Sequence, residues 1–333
     1  MEFKKLKEAL SKEPGFRLKQ AKKLLFVDLI KDWSEASVFS LPLREKLNKE
    51  VSLKIKGDIF LAKDKKTVKV ILTLEDGLKV ETVLMRHKDR NTVCVSSQVG
   101  CPLGCSFCAT GKMGFKRNLK YYEIINQVVF FSRFLKDNKD FNPRISNIVF
   151  MGMGEPFLNY DNVMKAIDIL NDEDAFNIGA RKISISTVGL VEGINKLAKE
   201  KRQVNLAISL HNTTDEARGE LMPINEKYPI KDIFKAVDNY IERTNRKVMF
   251  EYIMIDGVND SIEKAQELAR LMDNKLYVVN LISYNPTGIF NPSLKNTIKE
   301  FRNILEKKGI SVTERISFGD EIEAACGQLL AKE

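Results

Sequence analysis

The stretch "CPLGCSFCATG", residues 101–111, constrains this chain more than any other. It sets Cys101, Cys105 and Cys108 in a C-x3-C-x2-C run, three of the five cysteines in 333 residues. Glycines at 100, 104 and 111 allow such a loop to close tightly around a bound group. The run follows a strand candidate, "NTVCVSS" (91–97), and opens a regular alternation. Further strand candidates are "ISNIVFM" (145–151), "RKISIST" (181–187), "VNLAISL" (204–210), "KVMFEYIM" (247–254) and "LYVVNLI" (276–282). Between them lie amphipathic stretches such as "YYEIINQVVFFSRFLK" (121–136) and "IKDIFKAVDNYIERT" (230–244). Six βα units predict an α/β fold, a doubly wound sheet or an incomplete (βα)6 barrel, closed by an edge strand at "ISVTERI" (310–316). In either, chemistry gathers at the C-terminal ends of the strands, where the cysteine run falls.

The first quarter differs. Residues 1–50 read as a small helical accessory domain, with "MEFKKLKEALSKEPGFRLKQ" as a charged amphipathic helix and "FRLKQAKKLLFVDLI" and "LPLREKLNKE" at helical spacing. Residues 51–90 alternate apolar and polar positions around turns at "KGD", "KDKK" and "EDG", an antiparallel β segment ending in a basic loop, "RHKDR". Residues 91–333 then form the barrel. Residues 1–90 carry 22 lysines and arginines against 14 acids, and the remainder 32 against 31, so nearly all of the +9 lies before the cysteine run. A basic appendage on a neutral body suits a polyanion such as RNA, or is a solvated lysine-rich surface. An odd cysteine count without a secretion-type apolar leader argues against a disulfide framework and for a cytoplasmic protein, with no membrane span.

Structural zinc takes four protein ligands, which Cys94 or a histidine would have to complete here. Three cysteines around a cubane cluster instead leave one iron open. C-x3-C-x-aromatic-C, with Phe107 as the aromatic, resembles the signature of radical S-adenosylmethionine (SAM) enzymes, in which a [4Fe-4S] cluster binds SAM at that iron. "MGMGEP" (151–156) ends the next strand and resembles the glycine-glutamate motif that meets the SAM amine in those enzymes.

Longer segments narrow the resemblance. "CVSSQVGCPLGCSFCATG", "FMGMGEPFLN", "SISTVG", "SLHNTTDEARGELMPIN", "NLISYNP" and "GDEIEAACGQL" closely resemble the RlmN/Cfr family of radical SAM adenosine methyltransferases. The N-terminal "EPGFRLKQ" and "LPLREKL" resemble its accessory domain. The resemblance implies a [4Fe-4S] cluster on Cys101, Cys105 and Cys108, and two SAM molecules per turnover, one donating a methyl group and one a radical. It implies that Cys326 becomes S-methylcysteine, that Cys94 resolves the RNA adduct by forming a disulfide with it, and that Glu81 accepts a proton. Gly154, Glu155, Ser186, Ser209, Leu210, His211 and Asn285 resemble the SAM contacts. Without the resemblance, Cys94 and Cys326 would read as inert buried thiols, His211 as a structural histidine and Glu81 as a surface strand residue.

The implied substrate is a peptidyl-transferase-centre adenosine of 23S rRNA and, for some members, the tRNA adenosine next to the anticodon. The implied partner is a flavodoxin-type electron donor, and a monomer suffices. Pro156 after Glu155 resembles the members that methylate adenine C2, whereas C8 members tend toward alanine. "KMGFKRNLK" (112–120), with four cations and no acid, reads as an RNA guide or a solvated loop. Two departures stand out: "KKLLF" replaces a tryptophan-containing segment, with Trp33 a little later, and the loop after Pro286 is short. A non-catalytic RNA-binding protein with a metal knuckle, or a radical SAM enzyme acting on protein, are the readings of other classes.

Overall fold

A computed structural model describes residues 3–87, 90–138, 141–315 and 319–330. Its N-terminal part holds α1 (Phe3–Ala9), α2 (Phe16–Phe26) and α3 (Leu41–Glu50). The single helix expected over the first twenty residues is two, because Pro14 and Gly15 interrupt it. The helix expected to run on to Ile30 stops at Phe26. There Leu29 turns left-handed (φ 59°), and Ile30 N–H bonds back to the Leu24 carbonyl at 3.1 Å. Trp33 lies at the centre of this part, fully buried, its Nε1–H donating to the Val51 carbonyl at 2.8 Å.

Strands β1 (Lys56–Leu61), β2 (Thr67–Thr73) and β3 (Lys79–His87) form an antiparallel ribbon. The ribbon continues into the main sheet, because β3 pairs antiparallel with β4 (Arg90–Cys94). Of the basic loop expected at 86–90, Arg86 and His87 are therefore in β3 and Arg90 in β4; Lys88 and Asp89 lie outside the described residues. A small hairpin of β5 (Gln98–Gly100) and β6 (Phe115–Asn118) brackets the cysteine loop, which carries the one-turn helix α4 (Ala109–Lys112). Alternating α/β units follow: α5 (Tyr121–Asp137), β7 (Ile145–Phe150), α6 (Tyr160–Asn171), β8 (Ile183–Thr187), α7 (Val191–Ala198), β9 (Asn205–Ser209), α8 (Asp215–Leu221), α9 (Ile230–Thr244), β10 (Val248–Met254), α10 (Ile262–Leu271), β11 (Tyr277–Ser283), α11 (Lys295–Lys307) and β12 (Ser311–Arg315).

One ten-stranded sheet runs β1-β2-β3-β4-β7-β8-β9-β10-β11-β12, parallel from β4 to β12. β1 and β12 are its two edges, so the barrel is open, as expected. Of the edge strand expected at 310–316, residues 311–315 are β12, parallel to β11, and residue 316 lies outside the described residues. Strand alternation fixes what faces the lumen. In β8 ("ISIST"), Ile183, Ile185 and Thr187 are buried, while Ser184 and Ser186 line cavities inside the barrel. β9 and β10 repeat this, with Leu206, Ile208, Val248, Phe250 and Tyr252 buried and Ser209, Met249 and Glu251 lining the lumen. The result is a greasy outer layer under the helices and a polar interior. Among the described residues, no helix is long and apolar enough to cross a membrane.

Candidate active site

The cysteine loop is shaped by backbone constraints. Gly100 has φ 74°, and a Cβ there would lie 1.8 Å from the Gly114 carbonyl oxygen, so only glycine allows the hairpin to close. Cys101 N–H then donates to that carbonyl at 3.1 Å, and Cys108 N–H to the Cys105 carbonyl at 3.1 Å. All three thiols are free and border one cavity at the C-terminal ends of the strands. Burial pushes the Cys101 thiol up to about 12 and Cys105 higher still. Thiols held protonated by an apolar wall bind a metal only by losing protons to it, so loading a cluster releases them. Among the described residues, no group of three or more His, Cys, Asp or Glu side chains is set to hold a single metal ion. The donor set of three thiols on one wall with an open cavity in front suits a cubane with one exchangeable iron.

The other walls carry polar groups at the ends of successive strands. Gly154, after β7, has φ 94°, and a Cβ there would lie 2.5 Å from Gln98 Cβ. Gly154→Ala is expected to destabilise the protein, because the left-handed conformation costs about 1–2 kcal/mol and the clash must move Gln98 as well; a lowered midpoint of thermal unfolding measures it. Glu155 is buried, its Oε1 accepting from Phe157 N–H and Oε2 from Val188 N–H, both at 2.9 Å. Burial pushes this carboxyl up to about 7 despite those bonds, an environment that a bound ammonium group would relieve. Ser186 and Ser209, at the ends of β8 and β9, place their hydroxyls 3.5 Å apart, a spacing suited to a ribose diol. His211 (φ 59°) accepts from Ile253 N–H at Nδ1, and burial holds it neutral, down to about 3. Leu210 lines neither this cavity nor the next; its N–H donates to the Glu251 carbonyl at 3.1 Å.

The C-terminal segment closes the site over the cysteine loop. Ala109 N–H donates to the Gly327 carbonyl at 2.7 Å, and Thr110 Oγ1 to the Leu329 carbonyl at 2.7 Å. This sets Cys326, half-buried, on the wall of the same cavity. Cys326 also borders an adjoining cavity, together with Cys94, Asn285 and Arg315. Asn285 Nδ2 donates to the Cys326 carbonyl at 3.1 Å, so in this structure it holds that segment. Cys94 is buried, and burial pushes its thiol up to about 12. Glu81 lines neither cavity. It shares a face of β3 with Val83 and Met85, which do. Its Oε2 accepts from Leu330 N–H at 3.2 Å, its Oε1 lies 3.6 Å from Lys69 Nζ, and burial raises its pKa.

Three residues not singled out from the sequence complete the site. Arg218, fully buried on α8, donates to the carbonyls of Val188, Ser209 and Leu210 and so locks the ends of β8 and β9 together. Glu251 borders the first cavity and the polar lumen below it, and Arg315 borders both of these and the Cys94 cavity. A charged residue amid "KVMFEYIM" was the available signal for Glu251, since a buried parallel strand is otherwise nearly all apolar. The basic run 112–120 is partly committed inward: Arg117 bonds Glu123 at 2.8 and 2.9 Å and Asp76 at 2.7 Å.

The profile of the radical SAM superfamily matches residues 95–270. A "probable dual-specificity RNA methyltransferase RlmN" of Dictyoglomus turgidum is 44% identical over 322 residues, covering 96% of this chain and 91% of the relative. A "ribosomal RNA large subunit methyltransferase N" of Nitrosopumilus maritimus is 47% identical over 275 residues, covering 80% and 77%. Among solved structures, a radical SAM methyltransferase from Sphaerobacter thermophilus superposes with a TM-score of 0.94 at 43% identity, covering 98% of this chain and 97% of that one.

Proposed function

Since the chain belongs to the radical SAM superfamily and, within it, to the RlmN family of SAM-dependent RNA methyltransferases, we propose that it methylates C2 of the peptidyl-transferase-centre adenosine of 23S rRNA, and the adenosine next to the tRNA anticodon, through an S-methylated Cys326. One observation carries the reading: Cys326 shares a cavity with Cys101, Cys105 and Cys108, and a second cavity with Cys94. The printed names of the relatives, one of them dual-specificity, support RNA as the substrate.

Cys101, Cys105 and Cys108 would hold the cluster, and Glu155, Ser186 and Ser209 the SAM beside it. When bound, the cluster supplies the electron that splits SAM into methionine and a 5′-deoxyadenosyl radical. Cys326 first takes a methyl group from one SAM by displacement, losing its thiol proton. A hydrogen removed from that methyl group by the radical from a second SAM would leave an S–CH2 radical that adds to adenine C2; the adduct would then give up one electron, which the oxidised cluster would take back, and the C2 proton. This route is needed because an electron-poor ring carbon bearing hydrogen cannot displace a methyl group from a sulfonium. Cys94 then attacks the Cys326 sulfur, and the methylated base leaves. For Glu81 to take the C2 proton, the segment around Leu330 must shift, since Leu330 N–H occupies its Oε2. The chemistry calls for a one-electron donor of flavodoxin type and a thiol reductant, and for no second subunit. The target base must be flipped or unfolded to reach the cavity.

The test is anaerobic turnover with CD3-labelled SAM on a 23S rRNA fragment and on tRNA, followed by mass spectrometry of the nucleosides. The expected product is 2-methyladenosine carrying two of the three deuteriums. An 8-methyl product would move the regiochemistry, and a product retaining all three deuteriums would end the methylene route.

A further inference from the structure

Arg315 and Met151 alone, among the described residues, border all three chambers of the barrel interior: the cysteine cavity, the Cys94 cavity and the polar lumen beneath. Arg315 Nη1 donates to Met151 Sδ at 3.2 Å. Cys94 from β4 and Cys326 from the C-terminal segment border the second cavity with Arg315, and Glu251 from β10 borders the first and the lumen with it. His87 from β3, Arg90 from β4, Arg181 and Lys182 before β8, and Glu314 from β12 are the other charged or titratable groups lining that lumen. Glu251 is 3% exposed; its Oε2 accepts from Asn280 Nδ2 at 2.7 Å, and its Oε1 is buried without a hydrogen-bond partner. Burial raises the Glu251 carboxyl, and the Arg315 cation is the first group that counters it, so each favours the charged form of the other.

We propose, on the S-methylcysteine reading above, that Arg315 is the positioning residue of the release step: its guanidinium, held by Met151 Sδ, stabilises the Cys94 anion that attacks Cys326. As the S–S bond forms, the bond from the Cys326 sulfur to the methylene carbon breaks, and its electron pair passes into the adenine-conjugated carbon. That carbon takes a proton and becomes the methyl group. The two sulfurs are oxidised by two electrons and the carbon is reduced by the same two. The Cys94 proton leaves to solvent. A thiol reductant later restores both cysteines.

Burial raises the Cys94 thiol, and Arg315 is the first group that counters it. Below the thiol's pKa the anion fraction, and with it the release rate, rises tenfold per pH unit, so losing the cation shifts the whole rate profile to higher pH. Arg315→Met, Arg315→Lys and Glu251→Gln proteins, each loaded with cluster, are given SAM and RNA, and the covalent protein–RNA band is followed on denaturing gels from pH 7 to 9.5. Arg315→Met is expected to release RNA at least tenfold more slowly at pH 7.5 and to regain the wild-type rate about one pH unit or more higher. Arg315→Lys, which keeps the charge, recovers most of the loss, and Glu251→Gln gives a smaller defect. A readout without turnover is alkylation of Cys94 in cluster-free protein, resolved by peptide mapping; its pH profile shifts upward in the Arg315→Met protein. Release at the wild-type rate, or an unshifted alkylation profile, overturns the assignment. If a Cys94→Ala protein also forms no adduct, the S-methylcysteine route itself fails, which separates the two claims.

Discussion

With Cys326 replaced by alanine, RNA methylation is expected to fall by about 10⁴-fold or more, while the cluster-loaded protein still converts SAM to 5′-deoxyadenosine. The two effects separate because Cys326 is not one of the three loop thiols, although it borders their cavity. The substitution removes one sulfur and little else. The segment is held through backbone atoms: the carbonyl of Cys326 by Asn285, that of Gly327 by Ala109, and that of Leu329 by Thr110. Alanine keeps all three bonds, and Ala324 and Ala325 already pack beside it. A fold-level explanation for lost methylation is thereby excluded by design. Nucleoside mass spectrometry measures the product, chromatography the 5′-deoxyadenosine. Methylation persisting above about 1% of wild type would mean that no carbon passes through this sulfur.

Much of the site was legible because its parts are local. The cysteine loop, "MGMGEP", "SIST" and "SLH" are each a few residues at a strand end, and parallel strands bring their C-terminal ends together without further information. Strand parity was legible too: the serines of "ISIST" alternate with isoleucines, so one face had to be polar. What escaped depends on register. Glu251 is a charge in an apolar strand, but its meaning appears only when β10 is paired, setting it level with Ser209 on β9 and Asn280 on β11. Arg315 was hidden in an edge strand, where a cation usually faces water; because the barrel is open and β12 runs parallel beside β11, it faces the lumen instead. Glu81 shows the converse limit. Its parity with Val83 and Met85 follows from spacing, yet its depth under Leu330 does not. Helix ends behaved similarly: Pro14 and Gly15 were visible punctuation, whereas the left-handed Leu29 that stops α2 is a leucine with no local reason to turn.

Replacing Cys94 by alanine is expected to have the opposite signature to the Cys326 change: a single turnover that stops with protein and RNA covalently joined. Of Cys94 and Cys326, only Cys326 takes part in the steps up to addition at C2, so the adduct forms in full. Its release requires a second sulfur placed to attack the first, and Cys94 and Cys326 are the pair that shares a chamber apart from the three loop thiols. The loop thiols cannot substitute, since they would hold the cluster and border the Cys94 cavity nowhere. Serine at position 94 should trap the adduct as firmly as alanine, because an alkoxide is a far rarer species at neutral pH than a thiolate and forms no disulfide. The adduct appears as a slower band on a denaturing gel that nuclease digestion collapses to the protein's own mass plus one modified nucleotide. Product beyond one equivalent per protein in the Cys94→Ala variant would show that release needs no resolving thiol, and the pairing of these two cysteines would then be structural.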